Sequence, residues 1–402
     1  MTSSHVAGHE RPALPPTVAF VGTAIGFAAL YLAAGAPTPL LPLYEQHWRF
    51  APSALTIAFA AYAIALVVAL LTTGSLSDYI GRRPVLLGAL VVEIAAMLLF
   101  LFAPSIEWIT AARVVQGLAT GAATSAYSAS IVELAPEKLK KLGSVIGSVA
   151  PAAGLGLGAL LTGIAVQFSS SASQIVFVTL TVIMTVSLIV VAFSRETATR
   201  QPGALRELIP RVSVPPAARR EFAAAIPVHM AAWMLAGLFL GLVPTILENI
   251  LRVHSGLITG VTVFVEPGAA AIAGLLLARV AARRTVLVGV TSVLTGTILI
   301  VSAFVAESLP LLWVGAVIGG VGFGASFSGA VRLVIPFADV HQRAGLFAGI
   351  YLIAYLAFGV PAVIAGQLVG PLGLFPTVIL YGAAIIVAAA VGIATQLRVR
   401  RS

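Results

Sequence analysis

The chain has 402 residues, 59% of them hydrophobic and 9% charged, with a mean hydropathy of +1.06. That composition excludes a water-soluble globule, whose surface needs far more polar side chain, and the absence of cysteine excludes disulfides and thiolate metal sites. A formal net charge of +9 could point to nucleic acid, but nearly all the basic residues lie in short segments between apolar runs, which is the orientation signal of a membrane protein.

Residues 1–16, with Pro12, Pro15 and Pro16, lack the basic region, short apolar core and cleavage site of a signal peptide and read as a cytoplasmic tail. A helix needs roughly 20 mostly apolar residues to cross about 30 Å of hydrocarbon. Such runs repeat from there to the end of the chain. Twelve spans are predicted: 17–44, 53–73, 84–103, 107–132, 143–166, 174–193, 222–246, 256–280, 285–304, 309–335, 343–367 and 374–396. The longest linker, 194–221, carries six arginines and four prolines. It divides an N-terminal six-helix bundle, 17–193, from a C-terminal one, 222–397, and 398–402 is a second cytoplasmic tail.

The scheme can be tested by charge. One side receives Arg11, Arg82, Arg83, Lys138, Lys140, Lys141, the six linker arginines, Arg279, Arg283, Arg284, Arg332, Arg343, Arg398, Arg400 and Arg401. The other receives Arg49 and Arg252, and Arg113 falls inside a span. This asymmetry places both termini and the central linker in the cytoplasm. Arginine far outnumbers lysine, which fits a GC-rich bacterial genome and hence the inner membrane of a bacterium. The halves also echo one another: at an offset of 200, "GSLSDYIGRR" lies over "GLLLARVAAR", matching Gly74 to Gly274, Leu76 to Leu276 and Arg83 to Arg283. An internally duplicated transporter produces such an echo.

"GSLSDYIGRR", from Gly74 to Arg83, demands a tight turn between antiparallel helices. Gly81 can take a positive φ. Asp78 can accept hydrogen bonds from a helix N-terminus, and Arg82 and Arg83 can hold carboxylates or carbonyl ends. The plainer alternative makes the arginines topology signals only. The whole pattern resembles the G-x-L-x-D-[RK]-x-G-[RK]-[RK] loop of the major facilitator superfamily, in the same place after the second span, departing at Tyr79. In the fourth span "RVVQGLATG", with Arg113, Gln116, Gly117 and Gly121, is similar to that family's R-x-x-Q-G-x-x-x-G motif. "IGSVAPAAGLGLG", in the fifth, resembles the motif of the family's exporters at Pro151 and Gly154, whereas Ile146, Ala150 and Leu155 stand where the family has glycine. The resemblance covers the whole chain. It implies an all-α polytopic membrane protein: two pseudo-symmetric six-helix bundles around a central cavity that opens alternately to each side. It also implies that Gly74, Asp78, Gly81, Arg82 and Arg83 form a latch between the bundles. Gln116, Gly117, Gly121, Pro151 and Gly154 are expected to serve helix packing.

A charge at mid-bilayer costs roughly 2.5–3.5 kcal/mol on insertion scales, so each one asks for a reason. Arg113 either snorkels or binds a helix carbonyl, or, as its motif implies, places a fixed positive charge beside the cavity that favours proton release from a nearby carboxylate. Glu266, in "VFVEPGAAAIAG", is the candidate proton carrier; its alternative is a neutral acid bonded to a carbonyl. Glu93 is as deep, but the resemblance puts the third span on the outside of the bundle, which leaves it the weaker case. His229 lies one turn before Trp233 in the seventh span, which lines the cavity in the family. A neutral histidine there can bind substrate or shuttle a proton, or simply hydrogen-bond. Tyr351 and Tyr355, four residues apart, are further cavity candidates that could equally pack.

No phosphate-binding loop, no metal-ligand cluster and no soluble segment large enough for a catalytic domain is present in the sequence. The expectation is therefore not an enzyme but a secondary active transporter. It needs no cofactor beyond the proton gradient, no metal and no nucleic acid; its partners are the lipid bilayer and a small-molecule substrate, and it works as a monomer. Proton-coupled efflux of amphipathic or lipophilic molecules is the leading reading. An uptake symporter or facilitator of the same fold is the second, and a membrane enzyme or non-transporting sensor the third.

Overall fold

The computed structural model describes residues 14–210, 212–339 and 342–401. Arg11 and most of the tail 1–16 lie outside the described residues, as do Arg211 of the linker and Ser402. The fold is all helical: α1 Pro16–Gly35, α2 Leu41–Trp48, α3 Pro52–Thr73, α4 Leu76–Ile80, α5 Arg82–Leu101, α6 Ile106–Leu134, α7 Lys140–Phe168, α8 Ala172–Phe193, α9 Arg219–Gly241, α10 Val243–Asn249, α11 Gly256–Leu276, α12 Ala282–Val305, α13 Leu309–Val334, α14 Arg343–Leu372 and α15 Leu374–Arg401. Local chemistry sets several boundaries. Proline stands in the first turn of α1, α3 and α13, where its missing N–H costs nothing. The Ser255 hydroxyl caps α11 by accepting from the Ile258 N–H at 3.3 Å.

Eleven helical stretches among the described residues are long and apolar enough to cross a membrane, against twelve expected. The exception is α6, the expected fourth span. At 29 residues it has the length, but Arg113, Gln116, Thr120 and Ser130 dilute its apolar content. All four are buried, and α6 packs against α1, α3 and α5. Those four polar groups are shielded by protein.

Two expected spans break where proline interrupts them. The first, 17–44, stops at Gly35 and resumes after a short 3-10 turn, Thr38–Leu40, as α2. The seventh, 222–246, breaks between α9 and α10, with Pro244 in the new first turn. Both breaks end the same way: α2 is followed by Arg49 and α10 by Arg252, at φ 53° and 54°. The two halves thus share a backbone feature at these breaks. The linker ends earlier than expected, because Arg219, Arg220 and Glu221 already form the first turn of α9.

Packing sorts the helices into two groups. In the first half α1 packs on α6, α7 and α8, α3 on α6, and α5 on α6 and α8. In the second half α12 packs on α13 and α15, α13 on α9 and α11, and α14 and α15 on α9. The groups meet along two seams, α7 with α11 and α3 with α14. At the first seam Gly163 lies against the backbone of Gly256 and Gly260, and Gly156 against Pro267. At the second, Phe59 and Phe358 meet at a centroid distance of 4.5 Å. Polar bonds tie the halves on the side away from the arginines: Gln46 Nε2 donates to Glu248 Oε1 at 2.5 Å, and Ser255 Oγ to Gln167 Oε1 at 2.8 Å. Towards the arginine-rich side this close contact is not continued at Gly274 of α11, two turns beyond Pro267, where an added side chain would meet nothing within 4 Å.

Candidate functional site

α1 ends inside the protein, and the last carbonyls of a helix have no partners within it. Here α6 supplies them. Arg113 Nη1 donates to Ala34 O at 2.9 Å and Gln116 Nε2 to Ala33 O at 3.0 Å. Spacing makes this work, since residues three apart share a helix face. The same guanidinium nitrogen donates to Gln116 Oε1 at 2.9 Å, and its carbon sits 4.7 Å from the centre of the Tyr62 ring. Arg113 is 4% exposed and does not snorkel. Gly117 and Gly121 continue the motif towards the arginine-rich end of α6, where a side chain would strike the backbone of α3 at Leu66 and Leu70.

Sequence reasoning ranked the acid in this network below Glu266. Gln116 Nε2 also donates to Glu93 Oε1 at 3.3 Å, so a fully buried carboxyl group on α5 is joined to Arg113 through one amide. Its other oxygen has no partner. The only available signal was depth, because the contact depends on how α5 rotates against α6.

Glu266 lies elsewhere, on the face of α11 that packs on α13, with its carbonyl against Gly320 and its Oε1 unpartnered. No hydrogen bond or ion pair joins it to Arg113 or His229 among the described contacts. His229, 2% exposed, stands edge-on to Phe327 at 5.7 Å with both ring nitrogens unpartnered. One turn on, Trp233 meets Tyr355 at 4.8 Å, Phe323 at 5.3 Å and Phe358 at 5.8 Å, and its Nε1 is also free. Tyr351 stands 6.3 Å from Tyr355. Tyr31 and Tyr62 of the first half lie within electrostatic reach of Tyr355 in the second. The four aromatic candidates therefore form one surface on α9 and α14 that faces α1 and α3 across the junction. Arg113, over Tyr62, borders it.

Pro151 and Gly154 sit on α7, where Gly154 lies against Tyr31 and Ala28 of α1 within the same half. The opposite face of α7, at Gly156 and Gly163, meets the second half.

The hinge charges bond within the first half and the start of the linker. Arg82 pairs with Asp78 and reaches Glu133 with Nη2 at 3.2 Å, while its Nη1 donates to Ser77 Oγ at 2.7 Å. Gly81 turns the chain at φ 104°. Asp78 was expected to accept from a helix N-terminus, but Glu196 does so: its carboxylate takes the backbone N–H of Arg82 at 2.8 Å and of Arg83 at 3.1 Å. Asp78, on α4, is committed to the Arg82 side chain. Glu196 returns from the linker to the exposed end of α5, where the helix dipole favours an anion. Gly74 closes α3. Glu133 and Glu196 were not singled out, and the scarcity of acids on the arginine-rich side was the signal for them.

Comparison with known proteins follows the same lines. The sequence model of the Major Facilitator Superfamily matches residues 23–265. An uncharacterized transporter of Rickettsia bellii (strain RML369-C) is 36% identical over 76 residues, 19% of this chain and 19% of that protein. The 4-hydroxybenzoate transporter PcaK of Pseudomonas putida is 30% identical over 103 residues, 26% of this chain and 23% of that protein. The matched stretch thus spans about a fifth to a quarter of these curated relatives. A bacterial homologue of the human lysosomal transporter Spinster, in an inward-facing and unoccupied conformation, superposes with a TM-score of 0.74 at 14% identity, over 95% of this chain and 97% of that one.

Proposed function

Since this chain belongs to the Major Facilitator Superfamily, we propose that it is a secondary active transporter that exports small amphipathic or lipophilic organic molecules in exchange for protons. The observation that carries this reading is the aromatic surface where the halves face each other, Trp233, Tyr351 and Tyr355 opposite Tyr31 and Tyr62, with a single buried cation at its border. Such a surface offers dispersion, ring stacking and hydroxyl donors and little ionic selectivity. It suits apolar or amphipathic molecules better than sugars or phosphates.

In this reading twelve spans form two six-helix bundles in the inner membrane of a bacterium, α6 included, with both termini and the linker in the cytoplasm. The protein works as a monomer on the proton gradient alone. The bundles rock about the two seams, exposing the aromatic surface to one side and then the other. Glu266 carries the proton with His229 as second candidate, Arg113 supplies fixed positive charge, and the Asp78–Arg82 hinge latches the arginine-rich side.

Everted vesicles from cells expressing the protein provide the test. Their interior is acidified, and a panel of amphipathic fluorescent dyes and small metabolites is added. Export by exchange predicts that at least one compound partly collapses the interior acidity, with no effect in vesicles lacking the protein. If compounds move only down their own gradients and leave the acidity intact, export coupled to protons is wrong. A second reading, uptake of a small aromatic acid, is supported by the likeness to PcaK together with a cation at the edge of an aromatic surface. It predicts accumulation of labelled 4-hydroxybenzoate by whole cells, and no accumulation would exclude this acid.

A further inference from the structure

We propose that Glu93 is a proton-binding group of the first half whose charge state is sensed by Arg113 through Gln116. The inference rests on the proton-coupled reading above and names a residue which that reading leaves out.

Three observations carry it. First, both carboxyl oxygens of Glu93 are buried, and only Oε1 has a partner, Gln116 Nε2 at 3.3 Å. An ionised carboxylate in that place would leave a bare, desolvated oxygen, whereas a carboxylic acid carries its proton there. Second, the amide of Gln116 is polarised in one direction only. Its oxygen accepts from Arg113 Nη1 and its nitrogen donates to Glu93 and to Ala33 O. Rotating it would set a donor against the guanidinium, so the amide passes the Arg113 charge on towards the acid. Third, the other end of the chain is mechanical: Arg113 and Gln116 hold the last carbonyls of α1, beside the break before α2.

The ionisable groups around Glu93 are few. From α6 there are Arg113 and Tyr127, whose hydroxyl is buried without a partner, and from α3 there is Tyr62. α8, on another face of α5, has no ionisable side chain. α4 brings Asp78 and Tyr79 only to the far end of α5, about three turns away. When the acid ionises, its proton passes from Oε2 to a water molecule, leaving a carboxylate and a hydronium; uptake is the reverse, and no other bond changes. The new carboxylate draws on Arg113, the cation nearest to it, and loosens the hold on the end of α1 and on the Tyr62 ring. Protonation is thereby felt at the seam.

The full chain in lipid nanodiscs tests this with the proton as the only probe. Infrared difference spectra between acidic and alkaline medium should contain a carboxylic-acid carbonyl component that Glu93→Gln removes and Glu266→Gln leaves in place. In Arg113→Ala that component should need a medium about one pH unit or more further alkaline to discharge, because the nearby cation that favours ionisation is gone. Gln116→Leu should act in the same direction, and Arg113→Lys should restore most of the wild-type profile. If Glu93→Gln does not fold, the Gln116→Leu and Arg113→Lys profiles decide alone. A component that survives Glu93→Gln, or a discharge unmoved by Arg113→Ala and Gln116→Leu, overturns the proposal. The vesicle experiment separates it from the reading it rests on. A wild type that ignores the pH gradient overturns coupling while the infrared titration still stands for Glu93; a gradient-driven wild type whose spectrum ignores Glu93→Gln overturns Glu93 alone.

Discussion

Arg113 carries two jobs that a single substitution separates poorly. It caps the buried end of α1, and it is the cation of the network that reaches Glu93. Lysine keeps a point charge but loses the planar guanidinium, which lies over the Tyr62 ring while its Nη1 serves both Ala34 O and Gln116 Oε1. Arg113→Ala should therefore lower gradient-driven transport at least about a hundredfold, as expected when a buried hydrogen-bonded charge is lost, whereas Arg113→Lys should retain a reduced but measurable rate in reconstituted vesicles at matched protein level. A normal rate for the alanine variant would reduce Arg113 to a packing residue. Glu266 sits apart from this network, against α13, with an unpartnered oxygen. Glu266→Gln keeps its shape and removes its proton. If it is the carrier, gradient-driven transport vanishes while exchange at equal pH survives; unchanged accumulation passes the role to His229 or Glu93.

At the scale of elements the seams are the telling feature. Three of the four seam helices, α7, α11 and α14, hold an interior proline, at Pro151, Pro267 and Pro361. Each removes a ladder hydrogen bond and permits a local bend. Small residues then let the helices touch, as Gly163 does with Gly260. Gly163→Leu should wedge this seam apart, costing about 1–3 kcal/mol by overpacking and lowering the unfolding midpoint in detergent; an unchanged midpoint would mean that the seam is loose. The hinge behaves differently. Asp78 is half exposed, so its pair with Arg82 should add less than about 1 kcal/mol to stability. Asp78→Asn should accordingly insert and bind substrate almost normally but transport more slowly, since it weakens a catch and not a site. Equal loss of binding and flux would speak against that role. The second half answers the first with opposite charge. Where Glu133 of α6 receives Arg82, Arg332 of α13 donates to the carbonyls of Ala278 and Val280 in the turn after α11, at 2.9 and 2.8 Å.

For the whole molecule, the halves touch along α7–α11 and α3–α14 and are tied on the side away from the arginines by Gln46–Glu248 and Gln167–Ser255. Alternating access requires those ties to break. The chain has no cysteine, so within one molecule a Gln46→Cys, Glu248→Cys variant can form only the intended cross-link, and non-reducing electrophoresis separates it from links between molecules. Oxidation should stop transport and reduction restore it, read as dye flux from vesicles; full flux in the cross-linked protein would show that this side need not open. Much of the architecture was legible without coordinates. Apolar length and the arginine asymmetry pointed to a multi-pass helical protein of two halves, because the bilayer imposes its thickness and sidedness directly on composition. Gly81 and the Arg113–Gln116 pair were legible because a positive φ and a three-residue helical spacing are local properties. Composition sets α6 apart from the other long helices, since its polar residues are buried against α1, α3 and α5 and so it need not be apolar itself. Only the tertiary structure decided that Glu93 meets Gln116, that Glu196 rather than Asp78 caps α5, and that Tyr31 and Tyr62 face Tyr355. These contacts join residues 23 to more than 300 positions apart, and they depend on how each helix is rotated about its axis, which a nearly uniform apolar sequence leaves open.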